Sequence, residues 1–150
     1  MKVLIVDDHP MFRRGVRAIL EDTVGIESII EADDGASAMR QIELLAPDLA
    51  IIDLALPEID GLELLAWVGD HAAALRCIIL TMYDEQRYLE RALELGACGY
   101  VLKDDAEGDL RRCLETVNNG ETYVSPRFGR QRERLYPLRD SEIEAKLEIG

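Results

Sequence analysis

The run Asp48-Leu49-Ala50-Ile51-Ile52-Asp53-Leu54-Ala55-Leu56-Pro57 decides the fold. Four apolar residues, Leu49 to Ile52, end on the carboxylate of Asp53, and a proline-containing loop then turns the chain away. A continuous apolar run with no polar alternation predicts a strand buried on both faces, as in parallel sheets. Burying an unpaired carboxylate is costly, so Asp53 belongs at the strand's end, within reach of water or a cation.

The same pattern recurs on either side. Lys2-Val3-Leu4-Ile5-Val6 is an apolar run stopped by Asp7-Asp8-His9-Pro10. Phe12, Val16, Ile19 and Leu20 follow at helical spacing, so a helix starts near Pro10. Ile26 to Ala32 reads as a second strand and Asp33-Asp34-Gly35 as a turn. Ala36, Met39, Ile42 and Leu45 mark a second helix, ended by Pro47. After the Asp53 strand, Gly61 to Val68 is a short third helix. Cys77 to Leu80 is a fourth strand ending at Thr81. Leu89, Ala92 and Leu93 give a fourth helix with Gly96 as its stop. Gly99 to Leu102 is a fifth strand ending at Lys103. Leu110, Cys113, Leu114 and Val117 give a fifth helix, closed by Asn118-Asn119-Gly120. Strict alternation of strand and helix implies a doubly wound α/β fold, a parallel sheet with helices on both faces.

Bulk numbers narrow the function. The chain has 150 residues, enough for one domain and an appendage. No stretch is long and apolar enough to span a membrane, and the chain opens on a strand with no signal-peptide pattern, so a cytoplasmic protein is expected. There are 17 basic and 30 acidic residues, a formal net charge of −13. Residues 121–150 are balanced, so the whole excess lies in residues 1–120. A surface that acidic repels phosphate backbones and attracts cations, which argues against nucleic-acid binding by this domain. Cys77, Cys98 and Cys113 are odd in number and form no CxxC pair, as core thiols in a reducing compartment would.

Doubly wound sheets place their sites beyond the carboxyl ends of the strands. Asp7, Asp8, Asp53, Thr81 and Lys103 all fall at such ends, after strands one, three, four and five. No glycine-rich phosphate loop occurs, neither GxGxxG nor GxxxxGK[ST]. Three converging carboxylates either take up protons or hold a cation. Hard oxygen ligands suit Mg2+, which also neutralises charge on a transferring phosphoryl group. Lys103 adds a fixed positive charge, and Thr81 a hydroxyl that can bond a phosphoryl oxygen. A carboxylate nucleophile can carry that group as an aspartyl-phosphate. Each residue alone reads as a turn acid, a strand-end hydroxyl or a surface charge; their coincidence carries the inference.

At these residues the chain resembles the receiver domain of two-component response regulators. The resemblance rests on Val6-Asp7-Asp8-His9-Pro10, Asp53 to Gly61, Leu80-Thr81-Met82-Tyr83 and Gly99-Tyr100-Val101-Leu102-Lys103, and covers residues 1–120. It implies a flavodoxin-like, CheY-like (βα)5 fold with strand order 2-1-3-4-5. It implies that Asp53 is the phosphoacceptor and that Mg2+ is bound by Asp8, Asp53 and the Ala55 backbone carbonyl, with Asp7 holding a water of the metal. It further implies that Thr81 and Lys103 contact the phosphoryl oxygens, and that Tyr100 is an aromatic switch turning inward as Thr81 moves. The donor would be a sensor histidine kinase. The protein would not be an enzyme beyond Mg2+-dependent self-phosphorylation and autodephosphorylation.

Asp104 follows Lys103 where many receivers have proline. That departure, His9-Pro10 and Gly120 to Pro126 resemble the NarL/FixJ subfamily, whose outputs are helix-turn-helix domains. Residues 121–137 read as a linker. Leu138-Arg139-Asp140-Ser141-Glu142-Ile143-Glu144 is similar to the opening of such an output domain, so residues 138–150 are either its start or a C-terminal helix. No recognition helix follows. DNA would therefore be met only through an output domain outside this chain, with homodimerisation on phosphorylation through helices one and five or through the helix four, strand five and helix five face. A stand-alone receiver, acting by protein–protein binding or phosphorelay, is the alternative. A phosphohydrolase of another α/β family would want a second acid where Ala55 stands.

Overall fold

The computed structural model describes residues 1–128. Six parallel strands form one sheet in the order β2-β1-β3-β4-β5-β6. They are β1 (Lys2–Val6), β2 (Ser28–Ala32), β3 (Leu49–Ile52), β4 (Arg76–Thr81), β5 (Gly99–Leu102) and β6 (Tyr123–Val124). The helices between them are α1 (Pro10–Glu21), α2 (Gly35–Leu45), α3 (Gly61–His71), α4 (Gln86–Glu94) and α5 (Ala106–Asn118).

The sheet separates two apolar layers, and the two-residue strand period decides which residue enters which. Leu4 and Val6 of β1, Ala50 and Ile52 of β3, and Cys77 and Ile79 of β4 join Ile42, Leu64, Val68 and Leu89 from α2, α3 and α4. Val3, Ile5, Leu49, Ile51, Ile78 and Leu80 join Val16, Leu20, Leu110 and Val117 from α1 and α5. Every residue of β3 is buried, which is why the strand reads as a continuous apolar run. Asp34 and Asp60 cap α2 and α3, accepting from the Ser37 and Glu63 amides at 2.7 and 2.9 Å. The α2 end is set by Ala46 in the left-handed region, φ 45°, one residue before Pro47.

Three boundaries differ from the sequence reading. Helix α3 runs past the expected end at Val68 to His71, whose ring stacks on Trp67 with centroids 4.7 Å apart. Strand β2 starts at Ser28 rather than Ile26. The sheet also extends past residue 120, within the stretch read as linker. Tyr123 and Val124 pair with Gly99 and Tyr100, and Pro126 to Phe128 make a helical turn. Two residues carry too little periodicity to announce a strand. The rest of the expected linker, and residues 138–150, lie outside the described residues. Burial pushes the Cys77 and Cys113 thiols up to about 12 and raises Cys98 as well, which disfavours the thiolate, the reactive form, at each.

Candidate functional site

Register brings the acids together. Val6 of β1 lies opposite Ile52 of β3, so Asp7 and Asp53 leave adjacent strands side by side. The Asp53 amide donates to the Val6 carbonyl at 2.9 Å, and the Asp7 amide to the Ala32 carbonyl at 3.1 Å. Thr81 closes β4, and Lys103 follows β5. The loop after Asp53 folds back tightly, with the Gly61 amide donating to the Leu54 carbonyl at 2.9 Å. A side chain at Gly61 could not fit: its Cβ would stand 2.4 Å from the Asp53 carbonyl oxygen. Glu58 in the same loop is held at φ 64°, a strained conformation for a non-glycine residue.

Lys103 reaches into the corner these acids make. Its Nζ donates to Asp7 Oδ2 at 2.8 Å and to Asp53 Oδ2 at 2.9 Å. All three side chains are almost closed to solvent. Burial by itself would lower the lysine pKa; the hydrogen bonds and charges of Asp7 and Asp53 outweigh it and raise it. The other Asp53 oxygen accepts from the Ala55 amide at 3.1 Å.

Asp7, Asp8, Asp53 and His9 each offer a ligand atom, and these atoms lie within 4.8 Å of one another. Of the three acids Asp8 is the open one, exposed like His9, where Asp7 and Asp53 are buried. Three carboxylates gathered around one ammonium favour a divalent cation, which offsets their mutual repulsion. Oxygen donors, partial burial and one solvent-facing acid fit a hard cation that keeps some of its water. The structure brings Asp7, Asp8, Asp53 and Lys103 into one corner and sets Thr81 at the adjoining strand end.

His9 Nδ1 stands 3.1 Å from both Asp7 Oδ1 and Asp8 Oδ1. Sequence reasoning missed the corner's other supports. The Phe12 ring lies under the Lys103 ammonium, 4.3 Å from ring centre to Nζ, and so faces the cation with its electron-rich side. Arg13 donates to the Asp7 carbonyl and, with Arg17, clamps Glu31 at 2.9 and 2.7 Å. Burial acts to raise the Glu31 pKa, but the two arginines outweigh it and hold the carboxyl below its usual range. The contacts of Phe12 with Lys103, and of Arg13 and Arg17 with Glu31, join residues far apart in sequence, where spacing along one helix or strand says nothing.

A second path leads away from the acids. The Thr81 hydroxyl accepts from the Tyr83 amide at 3.2 Å, and the Tyr83 carbonyl accepts from the Tyr100 hydroxyl at 2.7 Å. Tyr100 is wholly buried and meets Phe128 edge to face, with ring centres 5.3 Å apart. Tyr83 turns its own ring onto Tyr88 of α4, at 4.7 Å.

Residues 3–115 match the family model described as response regulator receiver domain. The probable transcriptional regulatory protein NarL of Mycobacterium tuberculosis is 32% identical over 143 residues, which cover 92% of this chain and 66% of that one. The oxygen regulatory protein NreC of Staphylococcus aureus is 36% identical over 125 residues, covering 83% and 58%. The chain thus spans less than two thirds of the length of these relatives. Among solved structures, a LuxR-family two-component response regulator from Aurantimonas sp. superposes with a TM-score of 0.82 at 32% identity, covering 89% of this chain and 97% of that one. The isolated receiver of RcsB from Salmonella enterica, determined with the phosphomimetic BeF3−, gives 0.82 at 30%, covering 87% and 96%. With a matched family model over most of its length, and NarL- and LuxR-type regulators as its relatives, the chain belongs to the response regulator receiver domain family.

Proposed function

We propose that Asp53 accepts a phosphoryl group from a phosphohistidine of a sensor kinase, and that the change in charge switches a DNA-binding output. The N–P bond of the donor breaks as the bond between phosphorus and an Asp53 oxygen forms, and the imidazole leaves with a proton from solvent. One observation supports this above all. Lys103 bridges the two buried acids and stands where it can transfer a hydrogen bond from the Asp53 carboxylate to a phosphoryl oxygen. Phosphoryl transfer asks mainly for positioning and charge stabilisation, and the corner is built of little else.

Asp8, Asp53 and the Ala55 carbonyl would hold Mg2+, with Asp7 behind them through a water; the ion, when bound, offsets negative charge on the transferring group. The Thr81 hydroxyl donates to a second phosphoryl oxygen while still accepting from the Tyr83 amide. Tyr100 reads that position through Tyr83. Self-phosphorylation and autodephosphorylation are then the chain's only chemistry. Residues 1–120 form the receiver, 121–137 lead from it, and an output domain beyond meets DNA. Phosphorylation favours a homodimer in the cytoplasm.

The test is incubation of the chain with radiolabelled acetyl phosphate, with and without Mg2+. Mg2+-dependent label that hydroxylamine releases, as it does an acyl phosphate, supports the reading. Label resistant to hydroxylamine, or independent of Mg2+, contradicts it.

A further inference from the structure

Beyond residues 3–115, the span matched by the family model, the chain does something the sequence did not announce. Tyr123 and Val124 extend the sheet, the Ser125 amide donates to the Tyr100 carbonyl at 2.9 Å, and the Phe128 amide closes a turn on the Ser125 carbonyl at 3.1 Å. Phe128 is 2% exposed and packs on the Tyr100 ring. Arg127 Nη1 stands 3.3 Å from Asp105 Oδ2 and 3.9 Å from Asp104 Oδ2, the two residues directly after Lys103. An apolar anchor and a charged one thus seat one short segment on both outlets of β5: Tyr100 and the turn that carries Lys103.

We infer that residues 123–128 form a clasp whose docking is coupled to occupancy of the Asp53 corner. The inference rests on the reading of Asp53 as phosphoacceptor. Thr81, Tyr83, Tyr100 and Phe128 are joined in sequence by the contacts given above, and Thr81 ends β4, the strand paired with β3, whose end carries Asp53. A phosphoryl oxygen that holds the Thr81 hydroxyl also holds the Tyr83 loop, and so fixes the carbonyl that keeps Tyr100 buried. A fixed Tyr100 presents Phe128 with a settled wall. Docking and occupancy then stabilise each other, by the reciprocity that binds any two linked equilibria.

The clasp is also built to open. Ser125 is 1% exposed, and its Oγ has no hydrogen-bond partner among the described residues. An unpaired buried hydroxyl opposes closure, because water satisfies it only when the segment lifts. Its removal should therefore tighten the clasp, whereas removal of Phe128 or Arg127 should loosen it.

The experiment is calorimetric titration of the full chain with beryllium fluoride in the presence of Mg2+, beside hydrogen exchange of residues 123–128. Phe128→Ala and Arg127→Gln are expected to weaken binding by about fivefold or more, Ser125→Ala to strengthen it, and exchange in the wild type to slow on binding. Should Phe128→Ala fail to fold by circular dichroism, the other two variants still differ in sign. Equal affinities across the variants, or exchange unaltered by a ligand that binds, overturn the clasp and leave the Asp53 reading intact. A wild-type chain that binds no beryllium fluoride overturns both.

Discussion

The Lys103 ammonium lies 2.9 Å from the Asp53 carboxylate, and both side chains are nearly sealed from water, 6% and 2% exposed. A lysine this deep survives only because two carboxylates share it. They survive only because it is there. The pair therefore decides the stability of the corner and, on the proposed reading, its chemistry, and the two can be measured separately.

Lys103→Met leaves Asp7 and Asp53 buried without their counter-charge, and should cost about 3 kcal/mol at neutral pH. The sign of the pH dependence follows from the raised lysine pKa. Its stabilising effect is complete below the unfolded value, about 10.4, and is lost as pH rises through the higher folded value. Denaturation of both proteins should therefore show a gap that is constant near neutrality and closes above about pH 10.4. Mg2+ should narrow the gap at neutral pH, since it replaces part of the missing charge. A gap unchanged into strong alkali contradicts the assignment.

Two glycines of α3 should respond oppositely to alanine. At Gly61 the new methyl would meet the Asp53 carbonyl oxygen at 2.4 Å and the Leu54 Cα at 2.6 Å, so backbone must move. Gly61→Ala should cost about 2 kcal/mol or more and lower phosphoryl uptake. At Gly69 nothing lies within 4 Å of the added methyl. Gly69→Ala should raise stability by about 0.5–1 kcal/mol, the helix propensity it gains. Urea unfolding of the two variants checks both signs.

Ala55, exposed beside Asp53, has no polar side chain, and the Tyr83 ring is stacked on Tyr88, so neither position supplies a carboxylate or amide to align an attacking water. Phosphorylated Asp53 should therefore hydrolyse slowly. Ala55→Asn with Tyr83→Glu should speed the loss about tenfold, the rate equivalent of about 1.4 kcal/mol in positioning. Equal rates of dephosphorylation in wild type and double variant would remove the idea.

The first five strands and the acids were legible because each depends on local order. Leu49 to Ile52 must be apolar to lie buried, and Asp53 must end the run to stay charged, so position along the chain carries the information. Asp7, Thr81 and Lys103 follow the same rule at other strand ends. Phe12, Gly61 and Phe128 do not. Phe12 matters because α1 lays its ring under Lys103, a residue of the far end of the chain. Gly61 matters because a loop returns onto Asp53. Phe128 is buried by Tyr100, and a single aromatic in a charged stretch has no period to betray that. Local chemistry shows in a sequence; contacts made by folding back do not.

The most direct measurement is intact mass after incubation with acetyl phosphate and Mg2+, for the wild type and for Asp53→Asn. The wild type should gain the mass of one phosphoryl group, lose the gain when Mg2+ is chelated, and the variant should gain nothing. Equal uptake by the two proteins would mean that the phosphate sits elsewhere, and that the buried corner at the end of β3 serves another purpose.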